Sequence, residues 1–179
     1  MEDSKKIKLD FGSGRAKLDG YITIDKDPAV GADICVDIER MKFDGCVLCD
    51  ANGEVVDDIM FDGIDEIRAY HFLEHIDPKY KVKIMRLIFD VLKPGGIVDI
   101  EVPCFPHDAA VQDPTHVSFW NVASFWYFTK GNKFGEAFAA RCSKPWQSPL
   151  FEFVSEEKKC TGAETVPWAY QITLRKPCQ

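Results

Sequence analysis

The chain predicts an α/β protein with a mostly parallel sheet, on three observations. Ile7, Leu9 and Phe11 alternate with Lys6, Lys8 and Asp10, the period of two that marks a strand. The alternation runs straight into Gly12-Ser13-Gly14, where glycine lets the backbone turn sharply and approach a ligand with no Cβ in the way. Ile84, Leu87, Ile88, Val91 and Leu92 then recur at i, i+3, i+4, i+7 and i+8, the stripe of a helix packed on a sheet.

Taken in order, strands are expected at residues 6–11, 21–25 and 33–38, each short and closed by polar or glycine punctuation. The first link holds only about half a dozen helix-capable residues where a parallel crossover usually needs a dozen or more, so the first crossover is shortened. Residues 41–63 read as an inserted hairpin, with Asn52-Gly53 suited to a type I′ turn. Ile64–Tyr70 is the expected fourth strand and delivers His71 at its end. A helix follows from Asp77 or Pro78, with proline in its first turn. Pro94-Gly95-Gly96 ends that helix, and residues 97–102 supply a fifth strand. Residues 151–154 and 169–174 read as closing strands, an antiparallel pair at one edge. No repeat or linker divides the chain, so 1–179 is expected to be a single domain carrying the insertion.

Composition narrows the function classes. With 179 residues, 46% of them hydrophobic and 28% charged, the chain is globular and long enough to bury about 70% of its unfolded surface. No run of about 18 apolar residues is present to span a bilayer. Met1-Glu2-Asp3-Ser4-Lys5-Lys6 leads into the first strand without the apolar core of a signal peptide, which predicts a soluble cytoplasmic protein. A net charge of −7 disfavours gripping a phosphate backbone, and Lys79, Lys81, Lys83 and Arg86 read as the solvated face of a helix. The seven cysteines read as reduced thiols. Cys46-Val47-Leu48-Cys49 has neither a second C-x-x-C nor a nearby histidine pair to complete a zinc site, so no metal is expected.

The glycine turn and the acid that follows it carry the ligand argument. Tyr21-Ile22-Thr23-Ile24 ends in Asp25, and a carboxylate closing the next strand can accept hydrogen bonds from both ribose hydroxyls. A dinucleotide fingerprint needs G-x-G-x-x-G, a full helix for the pyrophosphate and an acid about 20 residues on. Lys17 stands at the third glycine position and Asp25 comes too early, which weakens an NAD(P)-dependent oxidoreductase. S-adenosylmethionine carries adenosine without a phosphate and is compatible with the shortened turn.

Five landmarks in order give the chain its resemblance to a known family. They are Leu9–Gly14, Gly20-Tyr21-Ile22-Thr23-Ile24-Asp25, Asp37-Ile38, His71-Phe72-Leu73-Glu74-His75 and Leu92-Lys93-Pro94-Gly95-Gly96. Together they resemble the class I S-adenosylmethionine-dependent methyltransferases, in the short type 11-like branch, over roughly residues 5 to 130. The resemblance implies a Rossmann-like class I methyltransferase sheet, mostly parallel with an antiparallel edge strand. It also implies that Asp10, Gly12, Ser13 and Gly14 surround the methionine portion and that Asp25 holds the ribose. Asp37 and Ile38 would lie near the adenine, with His71 and Leu73 on the cofactor's inner face. The alternative for Asp37 is a turn-forming aspartate after a strand.

Beyond residue 103 the chain turns aromatic and histidine-rich. His75 and His116 are the acid/base candidates, since imidazole exchanges protons near neutrality, with Asp113 placed to orient His116. The bland alternatives are a cap before Pro78 for His75 and a loop-locking turn for Asp113-Pro114-Thr115-His116. Among the aromatics, Phe125 and Phe128 suit a helix packed on the sheet, and Trp120 and Trp126 are candidates for the pocket. The expected function is methyl transfer to a small-molecule, sugar or other intracellular acceptor. An S-adenosylmethionine-binding module without independent turnover is the second reading.

Overall fold

The computed structural model describes residues 6–44, 47–49, 55–57, 63–141, 150–161 and 166–178. Cys46 and the Asn52-Gly53 turn lie outside them. Strand β1 (Lys8–Phe11) is followed, across residues 12–21 that hold only turns, by β2 (Ile22–Asp25) and the two-residue β3 (Ile34–Cys35). The first crossover is therefore short to the point of carrying no helix. A second, three-stranded antiparallel sheet is formed by β4 (Lys42–Asp44), β5 (Val47–Cys49) and β6 (Val55–Asp57), one strand more than the expected hairpin.

The main sheet resumes with β7 (Ile64–Tyr70), whose bounds match the sequence expectation. Asp77 caps a short 3-10 turn over Pro78–Tyr80 by accepting from the Lys79 amide, and α1 (Lys81–Val91) continues from it. Strand β8 (Leu92–Pro103) begins at the helix end and runs through Pro94-Gly95-Gly96, so that turn bulges the strand instead of preceding it. Helices α2 (Val122–Trp126) and α3 (Lys133–Arg141) lead to β9 (Glu152–Lys159) and β10 (Ala169–Arg175). The strand order is β3-β2-β1-β7-β8-β10-β9, parallel from β3 through β8. Antiparallel β10 lies between β8 and the edge strand β9.

The two faces of this sheet differ because the strands alternate in polarity. Leu9, Ile67, Val98, Ile100 and Ile172 are fully buried, and Ile84, Met85 and Ile88 of α1 join the same core. Each such side chain contributes roughly 1.5–3 kcal/mol by leaving water. The alternate positions carry a half-buried polar network. Lys8 pairs with Glu66 at 2.7 Å, Arg68 pairs with Asp10 and stacks over the Tyr70 ring, and Tyr70 donates to Asp99 at 2.6 Å. Parallel sheets usually hide both faces under helices. Here the helix-free first crossover goes with a second face written in polar residues.

Candidate cofactor and acceptor site

A cavity of about 290 Å³ opens where β1, β2, β3 and β7 end, close to the lower limit for small-molecule sites. The carboxyl ends of parallel strands are where open α/β sheets bind ligands. Its floor is the glycine turn. Gly12 donates its amide to the Ile24 carbonyl at 2.8 Å and holds φ at +67°. A Cβ on Gly12 would stand 2.5 Å from Cδ2 of Phe72, so this position needs glycine both for its backbone angle and for the close approach of that ring.

Asp25 ties the turn to the tip of β2. One carboxylate oxygen accepts from the Gly14 amide at 2.9 Å and the other from the Asp27 amide at 2.9 Å, which fixes the carboxylate on the cavity wall. Asp37 forms the turn that one reading of the sequence expects, capping the 3-10 turn over Ile38–Arg40 by accepting from the Glu39 amide, and it also lines the cavity beside Ile38. Gly12, Gly14, Asp25, Asp37, Ile38, His71 and His75 thus meet at one cavity. Lys26, Val36, Glu39, Phe72 and Ile76 join them, and sequence reasoning had not singled these out.

Three expected cofactor residues stand elsewhere. Asp10 is 1% exposed and faces away from the cavity lining onto the polar sheet face, where Arg68 Nη1 reaches its two oxygens at 3.1 and 3.0 Å. Burial pushes its carboxyl above the usual range against the pull of Arg68. Leu73 is wholly buried in the core, where its carbonyl accepts from Ser118 Oγ and Trp120 Nε1. Ser13 is buried beneath the turn, its hydroxyl 3.4 Å from the Gly14 carbonyl. The two tryptophans are not part of the cavity wall either: Trp120 is core, stacked on Phe125, and Trp126 is surface-exposed against Phe134.

His71 sits at the end of β7 with φ at +50°, a strained angle for a residue with a Cβ. Its surroundings hold it there. Nδ1 lies 3.3 Å from Glu74, Nε2 lies 3.0 Å from Glu101, and Trp168 stacks on the ring. The hydrogen bond to Glu74, then the charges of Glu74 and Glu101, raise its pKa above 6.5 against the effect of burial.

The three catalytic candidates, His75, Asp113 and His116, come together across about 40 positions of sequence. The Glu74 carbonyl accepts from the amides of Val117 and Ser118, which fastens the His116 loop onto the turn after β7. The His75 and His116 rings meet edge to face at 5.0 Å, and Asp113 lies 3.9 Å from His116 Nε2. The Thr115 hydroxyl and amide both donate to Asp113 and hold its carboxyl below the ordinary range.

No family model and no curated relative matches the sequence. Solved structures do match. The N-methyltransferase NodS from Bradyrhizobium japonicum superposes with a TM-score of 0.58 at 16% identity, over 96% of this chain and 86% of that one. A methyltransferase described as S-adenosylmethionine-dependent, from Methanosarcina mazei, gives 0.57 at 14% identity, covering 98% and 95%. The [4+2]-cyclase SpnF gives 0.57 at 14% identity, covering 99% and 78%. The fold is the Rossmann-like fold of class I S-adenosylmethionine-dependent methyltransferases, and the cyclase shows that this fold also serves other chemistry.

Proposed function

We propose that the chain is an S-adenosylmethionine-dependent methyltransferase of the short type 11-like branch, acting on a small-molecule or sugar acceptor. The observation that carries this reading is the Asp25 carboxylate, fixed on the cavity wall beside the Gly12–Gly14 turn at the tip of β2. In this reading Asp25 binds the ribose, Asp37 and Ile38 flank the adenine, and Gly12, Gly14, Phe72 and His71 enclose the methionine portion. NodS, which shares the fold, has been solved with S-adenosylhomocysteine. A dinucleotide is disfavoured because residues 12–21 form no helix whose N-terminus could receive a pyrophosphate. Residues 1–179 act as one unit, with β4–β6 inserted between β3 and β7.

Methyl transfer from a sulfonium is an in-line displacement in which the acceptor atom bonds to carbon as the C–S electron pair returns to sulfur. Positioning supplies much of the acceleration, and a proton must leave only when the acceptor carries one. His75 lines the cavity and touches His116, so the loop at Asp113–His116 marks the acceptor's side. Phe105, Val111, Val117 and Phe119 leave this loop's surface apolar and exposed, suited to a partly apolar acceptor. The shortened first crossover favours the second reading, a cofactor-binding module that needs another component for turnover. Release of S-adenosylhomocysteine from S-adenosylmethionine across pools of hydroxyl, amine and thiol acceptors separates the two: turnover supports the enzyme, and binding without turnover supports the module.

A further inference from the structure

Among the described residues, Glu74 Oε2 is the one buried side-chain oxygen or nitrogen that lacks a hydrogen-bond partner. The residue is 2% exposed, and its other oxygen is engaged by His71. An orphaned carboxylate oxygen at that depth costs about 1–3 kcal/mol or more unless something meets it. Glu74, His75 and His116 each offer a ligand atom within 4.8 Å of the others.

Both imidazoles are also set up as ligands. His75 Nδ1 lies 3.2 Å from the Thr115 carbonyl and 3.2 Å from the Thr115 hydroxyl oxygen, whose own proton goes to Asp113. Only acceptors therefore face that nitrogen, so Nδ1 carries the proton and Nε2 presents its lone pair. His116 Nδ1 donates to the Ala110 carbonyl at 3.3 Å with the same result. A backbone carbonyl on the far ring nitrogen is the outer-shell arrangement that orients metal-bound histidines.

We propose that Glu74, His75 and His116 bind a divalent first-row transition-metal ion beside the cofactor cavity. Two imidazole nitrogens with carboxylate oxygens and no thiolate suit Mn²⁺, Fe²⁺, Co²⁺ or Zn²⁺ better than an all-oxygen ion. Ligands about 2.1 Å from one ion stand roughly 3.0–4.2 Å apart, so closure needs a shift of about an ångström. No local pattern announces the site, because the three residues share no metal-ligand spacing. They meet through the bonds of the 117–120 segment to Leu73 and Glu74 and those of Thr115 to His75. Resting on the methyltransferase reading, the site also names an acceptor class: an acceptor bearing a hydroxyl, whose proton a Lewis acid makes easier to lose to solvent as oxygen attacks the methyl carbon.

The test is titration of chelator-stripped protein with Mn²⁺ and Co²⁺ by calorimetry, with Co²⁺ d–d absorption and paramagnetic broadening of the His75 and His116 imidazole resonances. One ion per chain is expected, with both rings broadened. Affinity should fall at least about 10-fold in Glu74→Gln and about 100-fold in His116→Ala. Glu74→Gln preserves shape, and broadening in the wild-type protein needs no variant, so a misfolded His116→Ala leaves the test intact. No binding up to about 1 mM, unbroadened rings, or equal affinity in wild type and Glu74→Gln overturns the site. S-adenosylhomocysteine binding to the same stripped protein is measured in parallel. Cofactor binding without metal binding removes this site alone, whereas metal without cofactor removes the methyltransferase reading and leaves the site standing.

Discussion

Gly12→Ala probes the point where turn, strand and cavity meet. Alanine at φ +67° pays about 1–2 kcal/mol for the left-handed backbone. Its Cβ would also stand 2.5, 3.1 and 3.2 Å from Cδ2, Cγ and Cβ of Phe72, roughly an ångström inside normal contact at the nearest atom. Phe72 packs edge-on against Phe11, with centroids 6.0 Å apart, so displacing it disturbs the core at a cost of about 1–3 kcal/mol. The sum is about 2–5 kcal/mol, a large part of an ordinary domain's stability. Gly14→Ala isolates the backbone part, because Gly14 holds φ +54° with nothing within 4 Å of an added Cβ, and about 1–2 kcal/mol is expected. Urea unfolding of both variants, in native and Phe72→Ala backgrounds, separates the contributions. Losing Phe72 should bring Gly12→Ala down to the cost of Gly14→Ala. Equal costs for Gly12→Ala in the two backgrounds, or a cost under about 0.5 kcal/mol, would refute the reasoning.

Three further outcomes are expected. Asp25→Asn should weaken S-adenosylhomocysteine binding by about 1.5–3 kcal/mol in calorimetry, and unchanged affinity in a folded variant rejects the ribose assignment. Arg68→Met strands the buried Asp10 charge and should cost about 3 kcal/mol in urea unfolding, while Asp10→Asn/Arg68→Met should cost much less; equal losses would mean the pair is not coupled. Asp33 accepts from the Thr23 amide and hydroxyl at 2.8 and 2.7 Å, and those bonds lower its pKa below 3.8. Its contribution is therefore fully present above pH 3.8 and lost as pH falls through the lower folded value. The stability gap between wild type and Asp33→Asn should close across that acidic window, and a gap independent of pH there would be inconsistent with the assignment.

The sheet was legible because strand alternation and the α1 stripe are local signals, and β7 and β10 came close to their observed bounds for that reason. The glycine turn, Asp25, Asp37 and His71 share one cavity, and their grouping was legible because each stands at or just after the carboxyl end of a strand of the parallel sheet. Asp10 was misplaced although its parity with Lys8 put it on the polar face, because its partner Arg68 is 58 positions away and no local pattern announces it. Leu73 was misplaced because a short 3-10 turn rotates the chain after Phe72, sending Leu73 to the core and His75 to the cavity. The extent of β8 was hidden by Pro94-Gly95-Gly96, which reads as a stop but is absorbed as a bulge. Glu74 drew no attention, since its burial and the bonds of its carbonyl to the distant Val117 and Ser118 amides have no local signature in the sequence.

In the proposed function, adenosine is held at the strand tips by Asp25 and the Asp37–Ile38 turn. A crystal structure of the protein grown with S-adenosylhomocysteine tests it most directly. The account predicts ribose hydroxyls on the Asp25 carboxylate, adenine beside Ile38, and sulfur toward Phe72 and His75. Density for the ligand elsewhere, or crystals that take up NAD in this cavity but not S-adenosylhomocysteine, would contradict it.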